Sequence, residues 1–148
     1  MAHFQLEVKD KFKEILGTLT GFTSADVKDR MAELGTIESY PVGVVLLEET
    51  QSQHVTMIGW GPEAERTQEI VVVIANEDAD IESNLLDLAL EMEQAVITAK
   101  RGEQFIFGGR EAEDISLDSQ VVTLSPESLK EGHVTQTYSF RYTQKLTN

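Results

Sequence analysis

The chain is 148 residues long, which suits one domain of ordinary size with its own hydrophobic core. Hydrophobic residues make up 41% of it and charged residues 26%, so it is not a disordered chain, and no apolar run approaches the roughly 18 residues of a bilayer span. The absence of cysteine excludes disulfides, thiol nucleophiles and thiolate zinc sites. A net charge of −14, spread along the sequence, disfavours nucleic-acid binding, because phosphates require Lys and Arg.

The N-terminal third contains two predicted helices and a predicted strand. Apolar residues recur at helical spacing from Phe4 to Leu19, which predicts an amphipathic helix. A short second helix is predicted next, in which Val27, Met31 and Leu34 share one face. The segment from Tyr40 to Glu49 has apolar residues on both faces, which predicts a strand buried on both sides.

The middle of the chain carries the strongest periodicity. A weak strand is predicted from Val55 to Trp60, closed by a turn at Gly61 and Pro62. The apolar run from Ile70 to Ile74 predicts a second doubly buried strand. A long helix follows over residues 81–99. Its predicted core stripe consists of Leu85, Leu88, Ala89, Met92, Val96 and Ala99.

The C-terminal third reads as strands joined by loops. A short strand is predicted from Gln104 to Phe107, an acidic loop from Arg110 to Ser119, and a strand from Gln120 to Ser125. From Val134 to Tyr142 apolar and hydroxyl side chains alternate, which predicts a strand with aromatic residues inside and hydroxyls facing water. Together these elements predict one α+β domain over residues 1–148. Its four- to five-stranded, mostly antiparallel sheet is packed by one long helix and N-terminal helices.

The sequence contains no recognisable catalytic motif. His3, His54 and His133 lie on different predicted elements, and no metal-binding helix, phosphate loop or nucleophile elbow is present. The acidic hinge, residues 77–82, has carboxylates that suit a hard cation but lacks the spacing and the glycine of a calcium loop. The alternative is that Asp78 or Asp80 caps the following helix. We therefore predict no cofactor, no metal site and no catalytic residue.

Two features leave a structural and a functional interpretation open. Asp87 and Glu91 lie at i and i+4 of the long helix without a compensating cation, so they form either a solvated face or a face that lines a passage or meets a basic partner. The strands predicted at residues 40–49 and 70–74 have apolar residues on both faces, so the face that does not contact the long helix must also be removed from water. That face is covered either by another subunit or by the two N-terminal helices.

Taken in order, the elements resemble those of the phage tail terminator family, the tail-completion proteins of long-tailed phages. The resemblance covers most of the chain and rests on the order of its elements, since the family has no catalytic signature. The stretches that carry it are the N-terminal helix, Tyr40-Pro41-Val42-Gly43-Val44-Val45, the strand Glu69 to Ala75, the acidic hinge with the helix Leu85 to Thr98, and the strands Val121 to Leu124 and Thr137 to Thr143.

The resemblance implies a structural virion protein rather than an enzyme. Its copies would form a ring, commonly a hexamer, that caps the head-proximal end of the tail tube and stops its polymerisation. The implied partners are the chain itself, the tail tube protein and a head connector or neck protein, while DNA passes through the lumen without specific binding. The implied location is the virion tail, after synthesis in the host cytoplasm, which agrees with a start that lacks signal-peptide features.

Within this framework the candidate surfaces fall into two groups. Asp80, Asp87 and Glu91 form a candidate acidic lumen or partner face, and Met57, Ile58 and Trp60 form a candidate interface loop. The alternatives are another neck or head–tail joining component, an acidic small-molecule or metal-binding domain, and an acidic inhibitor that mimics DNA.

Overall fold

The computed structural model describes residues 3–23, 26–28, 40–58, 61–125 and 130–145. The elements in chain order are α1 (Phe4–Leu16), β1 (Val27–Lys28), β2 (Val42–Ile58), β3 (Gly61–Glu77), α2 (Ile81–Arg101), β4 (Ile106–Phe107), β5 (Arg110–Glu111), β6 (Glu113–Leu124) and β7 (Glu131–Lys145).

One five-stranded sheet organises the molecule. Its strand order is β1-β2-β3-β7-β6, and all neighbours are antiparallel apart from the parallel β1–β2 pair. The central β3–β7 pairing continues without a register shift from the pair Glu63 and Lys145 to the pair Glu77 and Glu131. These observations confirm the predicted single α+β domain with a mostly antiparallel sheet.

Both helices pack on the same face of the sheet and share one hydrophobic core. The Phe12 ring of α1 lies 5.2 Å from the Tyr138 ring of β7 and 5.4 Å from the Phe105 ring beyond α2, measured between centroids. Each helix buries the stripe predicted from its spacing. The buried residues are Phe4, Val8, Phe12, Ile15, Leu16 and, just beyond α1, Leu19, together with Leu85, Leu88, Ala89, Met92, Val96 and Ala99 of α2.

Gly43 allows α1 to approach the sheet closely. A Cβ atom at this position would lie 2.6 Å from Cδ2 and 3.1 Å from Cγ of Leu16, a side chain that is itself fully buried. Those distances are too short for carbon atoms that are not bonded to one another. The glycine in the predicted strand is therefore required by helix packing.

A buried polar group connects α2 to the sheet. The side-chain amide nitrogen of Gln136 donates to the backbone carbonyl oxygen of Ala89 and to the side-chain oxygen of Gln120, both at 2.9 Å. The Tyr138 hydroxyl donates to the side-chain oxygen of Gln136, also at 2.9 Å. Burial, with a smaller contribution from the nearby Glu93 carboxylate, raises the pKa of the Tyr138 hydroxyl above its ordinary value. This network is satisfied and fixes α2 over β7.

The second face of the sheet is already closed over part of its area. Val42, Val44 and Val73 alternate with residues that face the helices, so they point to the opposite side, where they are 0–3% exposed within the single chain. The alternative that N-terminal helices cover this face is wrong for α1, which lies beside α2. Since these valines are buried in one chain, they do not require a partner subunit.

The prediction of a second helix is wrong at Val27, the first apolar residue of its predicted face. Val27 lies in β1, where it pairs with Gly43 of β2, and the turn before it is closed by the Asp26 carboxylate. That carboxylate accepts from the Thr23 backbone N–H at 2.7 Å and from its hydroxyl at 3.1 Å. Thr23 and Asp26 are residue types that suit the first turn of a helix, but here the Asp26 carboxylate closes a turn that precedes a strand. Met31 and Leu34 lie outside the described residues.

The predicted turn at Gly61 and Pro62 is also wrong, because both residues belong to β3 and pair with the end of β2. The separate strands predicted on either side of a polar stretch form one 17-residue strand, β2, with register shifts between Leu47 and Thr50 and between Ser52 and His54. These irregularities break the alternation on which the sequence prediction depended.

Most of the predicted acidic loop before residue 120 is strand β6. Its side chains follow no clean alternation because β6 is an edge strand with two register shifts, and only Ile115 and Leu117 of this part pack against the core. The short strand predicted before it is confirmed at Ile106 and Phe107, which form a hairpin with β5. Its turn residues Gly108 and Gly109 have φ of 59° and 80°, values that favour glycine.

Candidate interaction surfaces

The acidic hinge forms a turn in front of α2. Asp80 occupies the N-cap position and is exposed, but its side chain makes no capping hydrogen bond, so the prediction that it caps through its carboxylate is wrong. The Asp78 carboxylate accepts from the Asp80 backbone N–H at 2.8 Å. Among the described residues, no group of three or more His, Cys, Asp or Glu is close enough to hold a metal ion.

The two acidic residues of the α2 face have different surroundings. Asp87 is exposed, whereas Glu91 is half-buried and faces the segment after α1. A Glu91 carboxylate oxygen accepts from the Thr20 backbone N–H at 2.7 Å and from the Thr20 hydroxyl at 3.0 Å. Glu91 therefore links α2 to the end of the first helical segment, which the sequence did not indicate. Asp87 remains available to solvent or a partner.

The candidate interface loop lies at the tip of a β-hairpin. We call residues 54–58 of β2 and 61–65 of β3 the hairpin arm. Its five residue pairs begin at His54 with Glu65 and end at Ile58 with Gly61, and Met57 pairs with Pro62 just before the tip. Trp60 lies outside the described residues.

The hairpin arm continues β2 and β3 beyond the residues against which α1 begins. Phe4, the first residue of α1, packs against Tyr142 with ring centroids 5.2 Å apart, and Tyr142 pairs with Arg66, the residue next to the arm. Thr143, the next residue of β7, is exposed. Five further residue pairs correspond to about 17 Å of strand. The arm therefore continues the sheet by five residue pairs beyond the contact between Phe4 and Tyr142.

The outward side of α2 carries apolar residues that the sequence analysis did not single out. We call Leu86, Leu90 and Ile97 the outer stripe; their exposures are 49%, 53% and 44%. They occupy positions i, i+4 and i+11, which lie on one side of an α-helix. The signal was present in the sequence, because each outer residue directly follows a core residue.

The two edges of the sheet are different. On one side, β1 pairs with β2 only at Gly43 and Val44, so the rest of the outer edge of β2 has no strand partner among the described residues. On the other side, the described strands include β7 as the one partner of β6. The regular part of β6, residues 119–124, includes Val121, which is 58% exposed.

Within the described part of the chain, an open cleft of about 480 Å³ lies between the end of α1 and β1. Two carboxylates and one lysine are among its lining residues. The lining residues are Asp10, Lys13, Glu14, Gly17, Thr18 and Val27.

Comparison with known proteins assigns the chain to no family. No protein-family model matches the sequence, and no curated protein matches it either. No helix in the described part of the chain is long and apolar enough to cross a membrane. A functional proposal therefore rests on the fold, its surfaces and the resemblance in element order.

Proposed function

We propose that the chain is a structural subunit of a phage tail that forms a ring on the head-proximal end of the tail tube, ends tube polymerisation and supports head–tail joining. The observation that carries this proposal is the pair of unlike open edges on one sheet, the outer edge of β2 and the outer edge of β6. An edge strand offers unpaired N–H and C=O groups to another chain. Two different edges joined head to tail form a heterologous contact, which closes into a ring when the rotation allows it.

The hairpin arm supplies a separate surface for the tube. It continues the sheet beyond the contact of α1 with β7, and Met57 and Ile58 lie near its tip. A ring that closes through β6 and the part of the β2 edge before residue 54 leaves the arm to contact a different protein. We therefore propose that the arm meets the tail tube or the head connector.

The acidic charge fits the passage of DNA through such a ring. A surface with a net charge of −14 per subunit repels phosphates, so DNA would pass without adhering. Asp80 and Asp87 are exposed and remain candidate lumen residues, whereas the contact with Thr20 gives Glu91 an additional structural role.

Ring formation is the decisive test. Native mass spectrometry and negative-stain microscopy of the purified chain, alone and with tail tubes, should show closed rings, either free or on tube ends. A chain that stays monomeric under both conditions would contradict the proposal.

A pair of variants at one position tests the role of the β6 edge. Val121→Lys places a charge on an exposed edge strand, which opposes strand pairing with another chain. Val121→Thr keeps the branched shape and serves as the matched control. We expect the lysine variant to lose rings while remaining folded by circular dichroism, and the threonine variant to keep them. If both variants assemble equally well, the edge of β6 does not form the contact between ring subunits.

A further inference from the structure

The outer stripe of α2 is an apolar surface without a covering element among the described residues. Leu86, Leu90 and Ile97 are each about half exposed, although single surface positions of this kind are ordinary. Here the three lie in line along roughly three turns of one helix. An aligned apolar row on an otherwise polar helix surface is typical of a contact with another protein.

Carboxylates border the stripe on both sides. At about 100° per residue, Asp87 lies on one side of the row, and Glu82 and Glu93 lie on the other. Between Ile81 and Ala99 the helix carries no Lys or Arg. Lys100, at the end of α2, forms an ion pair with Glu111. The surface thus offers apolar contacts in the middle and negative charge along both borders.

We propose that the outer stripe docks an amphipathic helix of another protein, whose apolar row packs on Leu86, Leu90 and Ile97 and whose flanking Lys or Arg residues face Asp87 and Glu93. A second copy of this chain is a poor occupant. Two α2 helices packed on each other would bring their central carboxylates together.

The stripe also separates two interpretations of the acidic face of α2. A water-filled passage for DNA gains nothing from three half-exposed aliphatic side chains, whereas a protein partner removes them from water. On this proposal the outward side of α2, with Asp87, meets a protein, and of the two exposed aspartates only Asp80 stays a candidate for a lumen. This docking surface would operate whether or not the chain belongs to a phage tail.

The test uses two designed peptides and the full-length chain. Both peptides are about 20 residues long, enough to form a helix in solution, and carry the same leucine row. One has Lys on both borders of that row and the other has Glu. Fluorescence anisotropy should show binding of the Lys peptide, weakened at high salt, and at least tenfold weaker binding of the Glu peptide.

Variants locate the contact. Leu90→Gln should weaken binding of the Lys peptide at least tenfold, while Leu6→Gln, at a similarly exposed leucine of α1, should leave it unchanged. Asp87→Lys should weaken the Lys peptide and strengthen the Glu peptide. Circular dichroism should show that all three variants remain folded.

Three results would overturn the proposal. The first is no binding of the Lys peptide, or equal binding of both peptides. The second is unchanged binding by Leu90→Gln. The third is self-association in sedimentation velocity that Leu90→Gln abolishes, because a second copy of the chain would then cover the stripe. The absence of rings in microscopy would contradict the proposed function but would not affect the peptide-binding results. The ring proposal and the docking proposal can therefore fail independently.

Discussion

The inward and outward sides of α2 are made of similar residues in different surroundings. On the inward side Leu85 and Met92 are fully buried against the sheet and α1. On the outward side Leu86 and Leu90 are about half exposed. The contribution of an apolar residue to the free energy of unfolding depends on the surface that it removes from water. The inward side therefore stabilises the chain, while the outward side is available for binding.

The largest expected effect is on the inward side. Met92→Ala should lower the free energy of unfolding by about 2–5 kcal/mol, because it removes a fully buried side chain and leaves a cavity. Urea denaturation followed by circular dichroism measures this change. A loss below about 1 kcal/mol would mean that the inward side is less tightly packed than the structure shows.

A smaller effect is expected where α1 meets the sheet. Gly43→Ala should lower the free energy of unfolding by about 1–3 kcal/mol, because the new methyl group overlaps the Leu16 side chain. In a Leu16→Ala background the same change should cost much less, since the overlapping atoms are gone. Additive effects in this double-mutant cycle would contradict the contact.

The difference in stability between variants at Glu91 and Asp87 of α2 should be smaller than the effects of the two changes above. Glu91→Ala should cost about 1 kcal/mol, because its carboxylate accepts two hydrogen bonds from Thr20. Asp87→Ala is the matched control and should leave the free energy of unfolding within about 0.5 kcal/mol of wild type. Equal unfolding midpoints for the two variants in urea would show that the Thr20 contact adds nothing to stability.

The smallest effect on stability belongs to the outer stripe. Leu90→Gln should change the free energy of unfolding by no more than about 0.5 kcal/mol, because the leucine is already 53% exposed. The same urea titration checks this value. A large loss of stability would mean that the outer stripe belongs to the core, and the distinction between the two sides of α2 would no longer hold.

Long periodic elements were predictable from the sequence. The inward stripe of α2 and the alternation from Val134 to Tyr142 both face the core as their spacing indicates. Each spans many residues on one uninterrupted element, so one face meets the same environment along its length. Their existence and type therefore followed from local pattern alone.

Elements at the sheet edges were not predictable in the same way. In the described part of the chain, strand β6 pairs with β7 alone and contains two register shifts, so its side chains do not alternate cleanly. Val27 joins β1 through a parallel pairing with Gly43, a contact between distant parts of the sequence. In both regions tertiary pairing determines the backbone, and local propensity does not reveal it.

The candidate surfaces also combine features that follow from the local sequence pattern with features that depend on tertiary contacts. The sequence singled out Asp87 and Glu91 as a pair, but only the folded chain gives Glu91 its partner, Thr20, 71 residues away. Spacing indicated the longer inward row of α2, but it did not show that the adjacent shorter row, Leu86, Leu90 and Ile97, stays exposed. That exposure depends on contacts made by the sheet.

The hydrogen bond from Gln136 to the Ala89 carbonyl oxygen gives α2 a defined rotational register. Each outer residue follows a core residue by one position, so rolling the helix by about 100° would bury Leu86, Leu90 and Ile97 in place of Leu85, Ala89 and Val96. Both orientations bury aliphatic side chains. The rolled helix would separate the buried Gln136 amide from its acceptor, which costs free energy that apolar packing does not recover. The same roll would bury Glu82 and Glu93, which follow the core residues Ile81 and Met92. The buried amide and these carboxylates together decide which row of α2 the chain presents to other molecules.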